Sequence, residues 1–122
     1  MAGKMILVVD DSAAVRRAVK LMASGAGYSC IEAADGADAL KQLGSHDVDI
    51  VVTDLNMPVM DGWQFIEKMR AQPEMRFIPV LVLTTECHDD VASKLKRSGV
   101  TGVLQKPIGR DELLSALRRV DS

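Results

Sequence analysis

Cysteine is scarce in this 122-residue chain: Cys30 and Cys87 stand far apart, with no CxxC pair and no histidine-rich neighbourhood. That excludes a disulfide scaffold and a zinc finger, and a reduced, cytoplasmic setting is the simplest expectation. Both cysteines are read as buried or half-buried thiols, since no lysine, arginine or second thiol adjoins Cys87 in sequence to activate it. Excess charge is also lacking. Fifteen basic against seventeen acidic residues leave a formal charge of −2, with the signs interleaved along the chain. Neither a nucleic-acid nor a membrane partner is therefore expected. No apolar stretch approaches the length of a membrane span, and the opening MAGKMILVVDD is too short and wrongly flanked for a secretory signal. Low-complexity segments, internal repeats and linkers are absent too. A single domain over residues 1–122 is expected, with no output domain, either acting alone or excised from a longer protein.

What remains is an ordinary globular composition, 48 % apolar and 26 % charged. A chain this long buries roughly two-thirds of its unfolded surface and needs no staple. Five short apolar runs recur: MILVV at 5–9, YSCIEA at 28–33, DIVVT at 49–53, IPVLVLT at 78–84 and VTGVLQ at 100–105. Their β-branched, near-continuous apolarity predicts strands buried on both faces, as in a parallel sheet. Between them lie helical patterns. In SAAVRRAVKLMASGAG, Val15, Ala18, Val19 and Met22 share one face, Ser12 is placed to cap, and the Gly25–Gly27 region ends the helix. The same spacing returns at 37–44, 62–72, 89–99 and 110–120, where Phe65, Ile66 and Met69, then Leu113, Leu114 and Leu117, form inner faces. Five alternations of strand and helix predict an α/β fold: an open parallel sheet with five helices on two faces.

In such sheets ligands bind beyond the carboxyl ends of the strands, where strand order reverses. Those ends are Asp10 and Asp11, Asp54, Thr84 and Thr85, and Lys106-Pro107; the second strand ends instead at Ala33-Ala34, before a turn at Asp35-Gly36. Three carboxylates meeting in one pocket oppose one another's ionisation and call for a cation. Oxygen donors with no His or Cys among them suit Mg2+ rather than Zn2+. The chemistry that follows is phosphoryl transfer, with Asp54 as nucleophile and Thr84 and Lys106 as donors to the phosphoryl oxygens. Lys106-Pro107 is expected in the cis form, which in a tight turn aims the lysine inward; a trans turn into the last helix is the plain alternative.

Asp10-Asp11, Asp54 with Met57-Pro58 and Gly62, Thr84, and Lys106-Pro107, in this order around five βα units, resemble the receiver domain of two-component response regulators. The resemblance covers essentially the whole chain, and it looks most like the stand-alone, chemotaxis-type members. It implies a flavodoxin-like doubly wound sheet of order 2-1-3-4-5. It also implies a phosphorylation-activated switch whose Asp54 takes a phosphoryl group from a histidine kinase or phosphotransfer protein and which signals to a downstream protein target. Asp11, Asp54 and the Asn56 carbonyl would ligate Mg2+, with Asp10 acting largely through water. Asn56 and Glu86 match positions that tune self-dephosphorylation in the family.

The chain departs from the family pattern at Val103, where an aromatic residue is usual, so a conformational signal must run through packing around it. Thr85 stands where Ala or Gly is usual and is expected to narrow the approach to Asp54. Ile108 replaces a common aromatic and carries only a packing meaning.

Plainer readings stand beside these. Asp54 taken alone is a strand-ending polar residue, and Asp47 and Asp49 belong to a solvated turn. His46 and His88 read as surface residues, and the methionines as core fillers. Arg16, Arg17 and Lys20 form the wet face of the first helix, or else part of a kinase-docking surface. Trp63 is expected beside the phosphorylation loop. Two other functions compete: a receiver-like binding module that is not phosphorylated, and a Mg2+-dependent aspartyl phosphohydrolase, which Asn56 disfavours by standing where a second acid is needed. A nucleotide-binding α/β domain is disfavoured because the first strand leads into DDS with no glycine-rich loop.

Overall fold

The computed structural model describes residues 4–85 and 89–121. Ten elements alternate: β1 (Met5–Val9), α1 (Ala13–Ser24), β2 (Ser29–Ala33), α2 (Gly36–Ser45), β3 (Ile50–Asp54), α3 (Gly62–Ala71), β4 (Val80–Thr84), α4 (Asp89–Arg97), β5 (Gly102–Gln105) and α5 (Arg110–Asp121). All pairings are parallel and the sheet order is β2-β1-β3-β4-β5. This is the flavodoxin-like order, and it reverses between β1 and β3.

Alternation along the strands divides the core into two layers. Ile6, Val8, Ile50, Val52, Leu81 and Leu83 face one side, against Val19 and Ala23 of α1 and Leu113, Leu114 and Leu117 of α5. Leu7, Val9, Val51, Val80 and Val82 face the other, against α2, α3 and α4 through Ala39, Leu43, Phe65, Ile66, Met69 and Leu95. The three leucines of α5 are at most 7 % exposed, so they serve the core and not a partner. Burial on both faces holds for β3 and β4 but not at the sheet edges, where β2 and β5 are only partly covered.

Element ends move where a backbone group has another use. Tyr28 donates its amide to Ala23 O at the close of α1, so β2 starts one residue later. Arg70 binds the carbonyls of Arg76, Ile78 and Gly99, and Pro79 has no N–H, which leaves β4 to begin at Val80. Asp35 proves to be the N-cap of α2, its carboxylate accepting from Asp38 N at 2.8 Å, in place of a simple turn. Ser12 caps α1 as its position suggests, accepting from Val15 N. Among the described residues no helix is long and apolar enough to cross a membrane.

Candidate functional site

The reversal of strand order leaves the carboxyl ends of β1 and β3 side by side. Val9 pairs with Thr53, so Asp10 and Asp54 leave adjacent strands at the same edge. Asp10, Asp11 and Asp54 each place a carboxylate oxygen within 4.8 Å of the others; Asp10 and Asp54 are buried and Asp11 is exposed. From the neighbouring strand pair, Thr84 O accepts from Lys106 N at 2.9 Å, which carries the lysine to the same edge. The Lys106–Pro107 peptide is cis, as expected. Lys106 Nζ lies 2.8 Å from Asp10 Oδ2 and 3.3 Å from Asp54 Oδ2.

Each buried carboxylate is held from its other side by backbone. Ser12 N donates to Asp10 Oδ1 at 2.9 Å, and Leu55 N donates to Asp54 Oδ1 at 2.7 Å. Burial pushes the Asp54 carboxyl above the ordinary aspartate range and Asp10 pushes it further, while Lys106 and the Leu55 amide pull it back without cancelling the rise. Burial alone would lower Lys106, yet its hydrogen bond to Asp10 and the charges of Asp10 and Asp54 raise it overall. Lys106 is therefore a fixed ammonium. Three carboxylates against one ammonium leave two formal negative charges, the complement of a divalent cation, and the all-oxygen donor set fits Mg2+.

Around this centre, Thr84 is buried at the end of β4 and Thr85 is exposed just beyond it. Asn56 is exposed in the loop two residues after Asp54. Val103 lies on β5 with 42 % of its surface exposed, next to the groove that runs from Leu104 to Pro107. Ile108 packs into the α1–α5 layer, in keeping with its packing role. Glu86 lies outside the described residues, as do Cys87 and His88. Trp63 sets its ring against Lys94 of α4, with Nζ 4.3 Å from the ring centre. Cys30 is inert by the same physics that protects core thiols: burial pushes it up to about 11.

The loop after Asp54 is shaped by backbone proximity. Gly62 N donates to Leu55 O at 2.8 Å, and a Cβ at Gly62 would collide with Asp54 O and come within 2.7 Å of Leu55 Cα. Only glycine lets α3 start directly over the Asp54–Leu55 peptide. The capping box of Asp61 and Gln64 fixes that start.

Two further residues escape the strand-end rule. Arg16 does not lie on the wet face of α1: its side chain is 18 % exposed, and it donates through Nη1 to Asp10 O at 2.7 Å and through Nε to Glu32 Oε1 at 3.0 Å. A pairing sixteen positions apart between a helix and an edge strand leaves no periodic trace in the sequence.

Residues 6–118 match the response regulator receiver domain family. The chain belongs to that family. As a receiver it is 37 % identical over 116 residues to chemotaxis protein CheY-3 of Vibrio cholerae, spanning 94 % of this chain and 89 % of that protein. Among solved structures, chemotaxis response regulator CheY4 of Vibrio cholerae superposes with a TM-score of 0.92 at 39 % identity, over 98 % of this chain and 99 % of that one. The receiver domain of sensor histidine kinase PA1611 from Pseudomonas aeruginosa, a structure with a magnesium ion coordinated in its active-site cleft, matches with a TM-score of 0.88 at 29 % identity. That match covers 99 % of this chain and 100 % of that one.

Proposed function

We propose that this receiver is a phosphorylation-activated signalling switch that takes a phosphoryl group onto Asp54 and reports its state by protein–protein contact. The observation that carries the reading is the convergence of Asp10, Asp11 and Asp54 on one pocket with Lys106 Nζ between two of them. The donor is the phosphohistidine of a histidine kinase or phosphotransfer protein, and the relatives named as chemotaxis proteins favour a chemotaxis-type pathway in the cytoplasm.

A carboxylate oxygen of Asp54 attacks the donor's phosphorus; the P–N bond breaks, its electron pair stays on the imidazole, and an aspartyl phosphate remains. Asp11, Asp54 and the Asn56 carbonyl would hold Mg2+, with Asp10 acting through water, and the bound ion would supply neutralisation and a template for the phosphoryl oxygens. Lys106 follows the charge from the carboxylate to the new phosphoryl group, and the Thr84 hydroxyl binds another of its oxygens. Asn56 and Glu86 set the rate at which water removes the group. Packing around Val103 carries the change outward. The chain is not an enzyme for other substrates: its chemistry is confined to gaining and losing its own phosphoryl group.

Beryllofluoride, a phosphoryl mimic, tests this by 19F NMR. With Mg2+ present, the wild type is expected to show a bound fluoride resonance that Asp54→Asn abolishes. No bound signal would favour a binding module that is not phosphorylated, and steady hydrolysis of phosphate esters would favour a phosphohydrolase. Thr85, at the mouth of the site, makes labelling by small donors slow; Thr85→Ala is expected to speed labelling by acetyl phosphate, and an unchanged rate would contradict that role.

A further inference from the structure

Asp11 is the exposed acid of the cluster, and its direction depends on the peptide that joins it to Asp10. Contacts hold the backbone on both sides of that peptide, and one holds its own carbonyl. Asp10 N donates to Ala33 O at 3.1 Å, Ser12 N closes onto Asp10 Oδ1 at 2.9 Å, and Arg16 Nη1 donates to Asp10 O at 2.7 Å. The third contact comes from a side chain that is itself anchored. Glu32, at the carboxyl end of edge strand β2, accepts Arg16 Nε at 3.0 Å and turns its second oxygen toward Lys20 Nζ at 3.6 Å.

We infer that Arg16 is a positioning residue for the divalent-cation site, anchored by Glu32 and acting through the Asp10–Asp11 peptide. The inference rests on the switch reading above, which puts the cation between Asp11 and Asp54. The guanidinium fork reaches the Asp10 carbonyl and the Glu32 carboxylate along two fixed directions; a lysine ammonium presents one compact head and loses one of them. Pairing with Glu32, which Lys20 shares, also offsets part of the Arg16 charge beside the cation-binding pocket. With the support removed, the Asp10–Asp11 peptide loses the contact on its own carbonyl, and more of the ordering of Asp11 falls to the incoming ion. Groups that hold metal ligands in this indirect way typically cost about tenfold or more in affinity when removed.

Electron paramagnetic resonance of Mn2+, whose free signal is lost on binding, measures this without phosphorylation. Arg16→Met is expected to raise the Mn2+ dissociation constant about tenfold, and Arg16→Lys to raise it in the same direction. In acetyl phosphate labelling, the Mg2+ concentration for half-maximal rate is expected to rise with it, with most of the lost rate regained at saturating Mg2+. A purely structural role would lower the metal-free melting temperature and leave the Mn2+ constant of the folded protein unchanged, and that result overturns the proposal. Should Arg16→Met not fold, Arg16→Lys decides by the same measure. Asp11→Asn is the control: if wild type and Asp11→Asn bind Mn2+ alike, the cation reading itself fails and takes this proposal with it. If Asp11→Asn alone loses binding while both Arg16 variants keep it, only the role of Arg16 fails.

Discussion

Asp54 is buried beside a second buried acid, and the single ammonium of Lys106 is shared between them. Its folded pKa consequently lies above that of a free aspartate, about 3.9. A group whose pKa rises on folding holds its proton more tightly in the folded state, so stability falls as pH climbs from the ordinary carboxylate range through the folded value. Asp54→Asn is therefore expected to be more stable than wild type at neutral pH without a divalent cation, with the difference shrinking toward about pH 3. Urea denaturation across that range checks it, and equal stability at neutral pH would contradict it. Lys106 has the same sign at the alkaline end. Its raised pKa gives a stabilisation that is complete below about 10.4 and is lost as pH rises through the higher folded value. Val59 is strained for a different reason: it adopts φ +68° while 84 % exposed, so a β-branched residue sits in the left-handed region with little packing in return. Asparagine tolerates that region, and Val59→Asn is expected to raise stability by about 1 kcal/mol in thermal or chemical unfolding. The sequence shows the Met57-Pro58 bend, but with no glycine at 59 nothing in it marks the positive φ. The acids and the lysine were legible because each ends an apolar run. Arg16 was not, since its helix spacing is equally that of a solvated face.

At the scale of elements, the loop after Asp54 takes its shape because α3 begins on top of it. The Gly62 amide closes onto Leu55 O, and the Asp61–Gln64 box holds the first turn in place. Gly62→Ala must push the helix start off the Asp54–Leu55 peptide, because the atoms it meets are backbone. A loss of about 2–3 kcal/mol is expected in equilibrium unfolding, together with loss of beryllofluoride binding; a variant as stable as wild type would show that the helix start shifts freely. Trp63, in the same first turn, stacks against Lys94 and so ties α3 to α4. Existence and type of all ten elements were legible from the period of their apolar residues. Their ends were less so, because Tyr28, Ile78 and Thr101 spend backbone groups on partners in other elements: Ala23 O, the Arg70 guanidinium and Val80 O. Asp35-Gly36 shows the same limit, an N-cap and a tight turn being written with the same residues.

For the molecule as a whole, a parallel sheet covered by helices on two sides gathers residues from four separate strands at one edge, and so brings position 10 to position 106. The chemistry proposed for Asp54 depends on that gathering. The sheet order followed from resemblance and from the regular alternation of elements, whereas the uneven cover of the edge strands depends on how far each helix reaches and could not be read from apolar runs alone. The direct test of the central claim is acetyl phosphate labelling in Mg2+ followed by mass spectrometry of the peptides. The account predicts one phosphoryl group, located on Asp54, not formed when the metal is chelated beforehand and absent from Asp54→Asn. An unlabelled wild type in saturating Mg2+, or a phosphoryl group on any residue but Asp54, would contradict it.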